Sequence, residues 1–237
     1  MSRVLWVTGA GSGMGRAAAV AAAAGRRVAL SGRRPEPLQE TAAMVEAAGG
    51  EALALPLDAR DPDALRAAHE RIAATWGPVS DLVLSAGLNT PQRTWADQSM
   101  ADLDAIISTN LVGVARIVDL VLPDLRLSGG YVVVISSYSA WRFTPYAGVA
   151  YSASKSALAA VCQTLNAQEA KHGIRACHLC PGDVDSDFLK LRPAVPADEA
   201  RAVMLRPDDI GRAVAFVLDS PAHVRIDELV ISPISQV

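Results

Sequence analysis

The sequence predicts an α/β fold in which a single doubly wound parallel sheet of about seven strands carries helices on both faces. Short apolar runs alternate with longer amphipathic segments along the chain, and this alternation is typical of parallel strands joined by crossover helices. Several of the short runs are continuously rich in Val, Leu and Ile, as strands covered on both faces are. A glycine-rich turn directly follows the first run, which is the arrangement found in a Rossmann sheet.

Each element is predicted from its own pattern. The strands are expected in the apolar runs at residues 4–7, 27–30, 52–55, 82–84, 131–135, 174–179 and 229–231. The helices are expected in the amphipathic segments at residues 14–24, 37–48, 63–75, 100–122, 150–172 and 207–218. Pro62 and Pro207 mark helix starts, and Gly25, Gly49 and Gly77 stand where helices should stop.

No linker, low-complexity tract or internal repeat interrupts this order, so we predict one domain over residues 1–237. The least regular stretch, residues 183–206, contains Pro193 and Pro196 and follows the sixth predicted strand. Ligands bind outside the carboxyl ends of the strands in an open α/β sheet. Residues 183–206 are therefore predicted to form a substrate lid.

Composition excludes several classes of protein. Hydrophobic residues make up 51% and charged residues 20% of the chain, and the net charge is −3, with no basic cluster. We expect no nucleic-acid partner and, since no 18 consecutive residues are apolar, no membrane partner. The cysteines Cys162, Cys177 and Cys180 cannot pair evenly, which suits a reducing cytoplasmic location. Cys177 and Cys180 have CxxC spacing, but no second Cys/His pair completes a zinc site, so we expect no metal.

The glycine-rich turn contains the pattern TGxxxGxG, with Thr8, Gly9, Gly13 and Gly15 at its defined positions. Glycines let the backbone approach a pyrophosphate closely, at a helix N-terminus whose free N–H groups favour anions. Because this turn opens the first βαβ unit, it predicts a dinucleotide site.

Tyr151 and Lys155 are four residues apart and share one face of a predicted helix. A tyrosine is a useful general acid or base only if its pKa, ordinarily about 10, moves toward neutrality. A lysine charge about 4 Å away supplies roughly 4 kcal/mol toward that shift at an effective dielectric constant near 20. Burial of the phenolate opposes it, so the pair predicts acid/base chemistry beside a further positive charge, such as an oxidised nicotinamide.

These two motifs and others between them resemble the short-chain dehydrogenase/reductase superfamily over essentially the whole chain. The other matching features are Asp58 after the third strand, Ser85-Ala86-Gly87, Asn110, Ile135-Ser136-Ser137 and the Pro-Gly-Asp-Val-Asp-Ser motif at residues 181–186. The resemblance implies that Tyr151 is the general acid/base and that Lys155 lowers its pKa and holds the nicotinamide ribose. It implies that Ser137 binds the substrate oxygen and that Asn110 supports a water relay to Lys155.

The chain departs from the family pattern at two places. Leu84-Ser85 replaces the first two residues of the family's NNAG motif. Ser137 and Tyr151 are 14 positions apart where the family usually has 13, so Ser139 is an alternative catalytic serine. The spacing from Asn110 to Ser137 fits the family, which favours Ser137.

NADP is predicted over NAD from the end of the second strand. A carboxylate there normally accepts both ribose hydroxyls of NAD and repels a 2′-phosphate. Gly32 stands in place of that acid and is followed by Arg33 and Arg34, whose planar charged groups suit a phosphate. From the glycine turn, this arginine pair and the family resemblance together, the predicted cofactor-binding residues are Thr8, Gly9, Gly11, Ser12, Gly13, Met14, Gly15, Gly32, Arg33, Arg34, Asp58, Ala59, Ser85, Ala86, Gly87, Tyr151, Lys155, Pro181, Gly182, Val184 and Ser186.

The resulting prediction is an NADP(H)-dependent oxidoreductase that interconverts a small-molecule alcohol and a carbonyl compound, with a substrate of the ketone, aldehyde or hydroxy-acid type. The alternatives are a catalytically idle dinucleotide-sensing module and an isomerase or dehydratase that uses bound cofactor. A homotetramer or homodimer is expected because relatives assemble through the two long helices, which here are apolar around much of their circumference. Their apolar residues are Leu103, Ile106, Ile107, Val114, Ile117 and Val118 on one helix and Leu158, Val161, Cys162 and Leu165 on the other.

Overall fold

The computed structural model describes residues 2–236. Its strands form one parallel sheet in the order β3-β2-β1-β4-β5-β6-β7. The strands are β1 Val4–Thr8, β2 Arg27–Gly32, β3 Glu51–Pro56, β4 Asp81–Leu84, β5 Tyr131–Ile135, β6 Arg175–Pro181 and β7 Glu228–Ile231. The predicted fold class is confirmed, and every predicted strand is present with its ends within two residues of the predicted ones.

Helices cover both faces of the sheet. They are α1 Gly13–Ala21, α2 Pro35–Ala47, α3 Pro62–Trp76, α4 Met100–Ile107, α5 Gly113–Ser128, α6 Tyr138–Trp141, α7 Val149–Glu169, α8 Asp198–Ala202 and α9 Pro207–Leu218. A π-helical turn, Ser108–Val112, joins α4 to α5, and a 3₁₀ turn, Ala170–His172, extends α7. A further 3₁₀ helix, Asp187–Leu191, lies in the segment 183–206 together with α8.

Two hydrophobic layers hold the helices to the sheet. On one face, the odd-numbered side chains of β1, Leu5 and Val7, pack with α1, α2 and α9. On the other face, Val4 and Trp6 pack with α3, α5 and α7. Alternate residues of a strand point to opposite faces, so the uninterrupted apolar run of β1 serves both layers.

Two helix ends differ from the sequence prediction for physical reasons. The helix predicted to stop at residue 122 continues through Pro123 to Ser128, because Pro123 is exposed and Leu125, two residues later, is fully buried. It ends at Gly129, whose φ of 62° is left-handed. The helix predicted to run to residue 24 ends at Ala21, before the stop expected at Gly25. Ala22 leaves the helical backbone geometry with a ψ of 6°, and its carbonyl accepts a hydrogen bond from the Arg26 side chain at 3.0 Å.

The helical stretch Met100–Ser128 is long and apolar enough to cross a membrane by length and composition alone. In the fold its buried positions, which include Ile106, Val114, Ile117 and Val121, belong to the chain's own core. This packing accounts for part of the apolar composition of the helix, since 39% of its most apolar stretch is buried.

The strand order places the chain's turning point between β1 and β4. From β1 the sheet grows through β2 and β3 in one direction and through β4 to β7 in the other. The two connections that leave β1 and β4 diverge to opposite sides, which opens a crevice at the carboxyl ends of these strands. The predicted site residues after β1, β4, β5 and β6 all lie at this edge of the sheet.

Candidate active site

The turn after β1 lies unusually close to the chain after β4. Gly9 has a φ of 63°, and a Cβ there would lie 2.9 Å from the backbone of Ala86. The Thr8 hydroxyl accepts hydrogen bonds from the N–H groups of Ser85 and Ala86, at 3.1 and 3.2 Å. A Cβ on Gly15 would lie 2.3 Å from the Gly9 carbonyl oxygen, so only glycine lets α1 begin against this turn. The bottom of the crevice is therefore formed by backbone atoms at the N-terminus of α1.

A cavity of about 250 Å³ occupies this crevice. Of the predicted cofactor-binding residues, it is lined by Thr8, Gly9, Gly11, Ser12, Gly13, Met14, Gly32, Arg33, Arg34, Asp58, Ala59, Ser85, Ala86, Gly87 and Ser186. It is not lined by Gly15, Tyr151, Lys155, Pro181, Gly182 or Val184. Lining residues that the sequence analysis missed are Ser31, Leu57, Arg60, Leu88, Thr109, Asp187 and Phe188. Leu88 and Thr109 are direct neighbours of motif residues, which is a signal that could have found them.

The end of the cavity beyond β2 is positively charged. Arg33 and Arg34 are exposed, and no carboxylate stands at Gly32 between them and the strand. The Asp58 carboxylate accepts hydrogen bonds from Arg60, which hold its pKa below the ordinary value, and the charge of Arg33 lowers that pKa further. Asp58 is thus paired with Arg60, whereas Arg33 is exposed and lines the cavity.

Asn110 is fully buried in the π-helical turn between α4 and α5. Its side-chain oxygen accepts from the N–H of Leu88 at 2.7 Å, and its Nδ2 donates to the Leu88 carbonyl at 2.9 Å and to Ser154 Oγ at 3.1 Å. Single π turns inside α-helices recur at functional sites because they re-aim a side chain. Here the turn lets one amide connect the loop after β4 to α7, the helix that carries Tyr151 and Lys155.

Lys155 lies beneath this site with its ammonium group buried. Its Nζ donates to the carbonyl of Ile135 at 2.9 Å and lies 5.8 Å from the centre of the Tyr151 ring. Burial lowers the pKa of Lys155 to about 8. A Cβ on Gly87 would lie 3.7 Å from Nζ and 3.8 Å from Asn110 Oδ1, so Lys155 and Asn110 both approach the same glycine.

Tyr151 differs from the sequence expectation in the direction of its pKa shift. Burial raises the pKa of the phenol, while hydrogen bonding with Ser137 and the positive charges of Arg93 and Arg192 lower it in part. Lys155 contributes little here because its Nζ donates to a backbone carbonyl instead of the phenol. Without a further positive charge the phenol therefore holds its proton.

Ser137 and Ser139 occupy different environments. Ser137 begins α6 and its Oγ accepts hydrogen bonds from the N–H and the hydroxyl of Ser139, at 3.2 and 3.0 Å. Ser139 is buried beneath it. The serine whose side chain acts on the Tyr151 phenol is Ser137.

The segment 183–206 lies over Tyr151. The ring of Phe188, from the 3₁₀ helix Asp187–Leu191, lies 5.9 Å from the Tyr151 ring, measured between centres. Ion pairs join Arg192 to Asp183, at 2.5 Å, and Arg201 to Asp185, at 2.9 Å. Both aspartates lie at the start of the segment, so these pairs connect its later part to its beginning. The cavity is lined by Phe188 but not by Tyr151.

The aromatic residues that precede Tyr151 point outward. Trp141, Phe143 and Tyr146 are 49%, 81% and 85% exposed, so they do not belong to the core.

The cysteine motif on β6 is divided between the two faces of the sheet. Cys177 packs in the layer with α1 and α9, whereas Cys180 lies beside His178, with Sγ 3.4 Å from Nδ1. His178 also contacts Glu228 at 3.0 Å, and the three possible metal-ligand atoms lie within 4.8 Å of one another. The CxxC spacing did not indicate this group, because its third member comes from β7.

Comparisons with known proteins give the class to which this geometry belongs. The family model described as short chain dehydrogenase matches residues 3–195. An uncharacterized oxidoreductase of Staphylococcus aureus strain MW2 is 30% identical over 98% of this chain and 97% of its own length. Glycine betaine reductase ATRR of Emericella nidulans is also 30% identical over 98% of this chain, which spans only 19% of that longer protein.

A solved structure supports the same class. The alcohol dehydrogenase from the archaeon Thermococcus sibiricus, complexed with 5-hydroxy-NADP, superimposes with a TM-score of 0.89 at 30% identity and covers 100% of this chain and 99% of its own. The chain therefore belongs to the short-chain dehydrogenase family. It is an oxidoreductase of that family.

Proposed function

We propose that the protein is an NADP(H)-dependent oxidoreductase that interconverts a small alcohol and its carbonyl compound. The observation that carries the proposal is the position of the Tyr151 phenol. It lies at the carboxyl edge of the sheet, with Ser137 beside it and Lys155 behind it, and its ring is 5.9 Å from that of Phe188, which lines the crevice.

The residues around the crevice fit a dinucleotide. The Gly9 and Gly15 positions leave no room for a Cβ, so the backbone at the start of α1 is open to a pyrophosphate. Arg33 and Arg34 flank the end of the crevice where an adenosine 2′-phosphate would lie, with no carboxylate at Gly32 to repel it. When bound, the cofactor supplies the hydride that is exchanged with the substrate carbon.

The chain's own residues supply the proton and the orientation. In reduction, the protonated Tyr151 phenol donates to the carbonyl oxygen, and the Ser137 hydroxyl donates a hydrogen bond to the same oxygen. Lys155 holds a positive charge at pH values under about 8, with its Nζ 5.8 Å from the centre of the Tyr151 ring. Asn110 positions α7 against the loop after β4, which keeps these groups at the crevice.

The other expectations from the sequence complete the proposal. They are one NAD(P)-binding domain over residues 1–237, a substrate lid at 183–206, a cytoplasmic location, no nucleic-acid or membrane partner, and a homodimer or homotetramer. The short ion pairs of Arg192 and Arg201 and the ring contact of Phe188 support the role of 183–206 as a lid.

The proposal is tested by following NADPH consumption with a panel of aldehydes and ketones, for the wild type and for Tyr151→Phe. We expect turnover by the wild type and a loss of kcat by two or more orders of magnitude in the variant, because only the proton donor is removed. NADPH binding, measured by its fluorescence, should be unchanged. Binding without turnover in the wild type would favour the sensing module. Substrate conversion without net NADPH change would favour an isomerase or dehydratase, and wild-type kcat in the variant would remove Tyr151 from the mechanism.

A further inference from the structure

Arg93, in the loop after β4, has a buried side chain that packs against the start of α7. Its residue surface is 8% exposed. Nε donates to the Thr90 carbonyl at 2.8 Å and Nη2 donates to the Leu191 carbonyl, so both acceptors are uncharged. Among residues 2–236, no carboxylate forms an ion pair with Arg93, whereas the neighbouring Arg192 is paired with Asp183.

Three segments that meet at Arg93 place it next to Tyr151. Its Cβ packs on Gly148, the residue that precedes α7, so closely that a Cβ on that glycine would lie 2.7 Å away. Its bond to Leu191 connects it to the segment 183–206, at the turn whose Phe188 contacts the Tyr151 ring. The charges of Arg93 and Arg192 are close enough to Tyr151 to lower the pKa of its phenol.

A buried positive charge that no anion neutralises is unfavourable. Burial and the like charge of Arg192 lower the pKa of Arg93, which is the physical sign of this cost. Arginine remains protonated in proteins under such stress, so the charge persists. Such an arrangement at a catalytic site is explained if an anionic ligand completes it, because a guanidinium and a carboxylate form strong, directed hydrogen bonds.

We propose that Arg93 binds the carboxylate of the substrate, so that the enzyme acts on oxo acids and hydroxy acids in preference to neutral carbonyl compounds and alcohols. The inference rests on the proposed function and names its substrate class. In reduction, hydride passes from the reduced nicotinamide to the ketone carbon and the Tyr151 proton passes to the ketone oxygen. The products are the hydroxy acid and the oxidised cofactor, and the carboxylate bound by Arg93 is unchanged.

The test compares straight-chain oxo acids, whose ketone lies at the second, third or fourth carbon, each with its own methyl ester. The acid and the ester share a carbon skeleton and differ in charge. For the best chain length, we expect wild-type kcat/KM to favour the acid by at least about tenfold. Arg93→Met should remove this preference mainly by raising the KM of the acid, with little effect on the ester. Arg66→Met, at an exposed arginine of α3, should leave both unchanged.

The outcomes separate the possible failures. Turnover of esters and neutral ketones without a preference for acids overturns the substrate class but leaves the proposed function intact. NADPH binding without turnover of any compound overturns the proposed function itself. If Arg93→Met lowers kcat/KM for acid and ester alike, Arg93 serves only to join the loop after β4 to the segment 183–206, and the inference is wrong.

A folding defect in Arg93→Met does not prevent the test. Arg93→Lys keeps a positive charge and loses the planar fork, so it should retain part of the acid preference. The wild type alone gives a second measurement: short-chain carboxylates should inhibit the reduction of a neutral ketone competitively, and the corresponding amides should not. Equal inhibition by carboxylates and amides would contradict the inference.

Discussion

Arg33 is exposed at the end of the crevice, next to a glycine and not to an acid. We expect wild-type kcat/KM to favour NADP(H) over NAD(H) by at least about tenfold, a difference of ~1.4 kcal/mol that one charge-assisted phosphate contact can supply. Arg33→Ala should erase most of this preference and leave NAD(H) kinetics nearly unchanged, as measured with both cofactors at one substrate concentration. Arg71→Ala, on α3, is the matched control. Equal weakening toward both cofactors would contradict the assignment.

The buried ammonium of Lys155, for which we propose a role in catalysis, has a cost to stability. Its pKa is about 8 in the folded protein and 10.5 ordinarily. Between these pH values the unfolded chain binds more protons, so the free energy of unfolding should rise with pH. A shift of this size corresponds to about 3 kcal/mol.

Lys155→Met should therefore make the cofactor-free protein more stable at pH 7, by up to about 3 kcal/mol, while turnover is lost. The rise in stability between about pH 8 and pH 10.5 should disappear in this variant. Urea unfolding at several pH values measures both effects. Lys171→Met, at an exposed lysine, should retain the pH dependence of the wild type. A variant that is less stable than the wild type at pH 7 would show that the buried ammonium does not destabilise the folded protein.

Among the elements, the segment 183–206 contains two ion pairs of Arg201 that differ in length and exposure. Arg201 Nε pairs with Asp185 at 2.9 Å, close to the bridge between Val184 and Leu205. The pair that Arg201 makes with Asp198, at 3.6 Å, is fully exposed on the Asp198 side and should contribute little.

Asp185→Asn should make the segment open more often and so speed trypsin cleavage after Arg201 by about two- to fivefold, since opening precedes cleavage. Asp198→Asn removes the weaker partner of the same arginine and should leave the rate near that of the wild type. Mass spectrometry of a limited digest identifies the cut. Identical rates for the two variants would mean that the Asp185 pair does not hold the segment closed.

Elements with explicit end signals were predictable from the sequence. The helix 207–218 and the strand 131–135 have the predicted bounds, because a proline with following acidic residues marks the first and an unbroken apolar run the second. The π-helical turn at Asn110 was not predictable, since a single extra residue in a helix leaves no periodic signal. The motif residues of the site could be found, but Arg93 could not. Its burial depends on carbonyls of two loops that meet only in the folded chain.

At the scale of the whole molecule, the fold uses most of the apolar residues from which assembly was expected. Ile106, Val114, Ile117, Val118, Leu158, Cys162 and Leu165 lie in the chain's own core. Leu103, Ile107 and Val161 remain half-buried on the long helices. Contacts with a second copy through these helices would therefore depend on a smaller apolar surface than the sequence pattern suggested.

We still expect a dimer or tetramer, with contacts near Leu103, Ile107 and Val161. Light scattering coupled to size exclusion, over a range of micromolar concentrations, gives the mass. Val161→Glu should shift the population toward smaller species if this face is used, because the added charge would have to be buried. A monomeric wild type throughout the range would contradict the expectation.

The position of β1 between β2 and β4 has a consequence for how the chain folds. Leu5 pairs with Val28 of β2 on one side and with Asp81 of β4 on the other. During synthesis, the edge of β1 that faces β4 therefore stays unpaired until more than fifty residues after Val28 have been added. All five residues of β1 are buried in the finished sheet, and an open apolar strand edge is a template for association with other chains. Refolding should therefore be slow and lose yield as protein concentration rises. Trp6, which is buried and donates to Ser31 Oγ at 3.0 Å, should report the closure of this edge through its fluorescence.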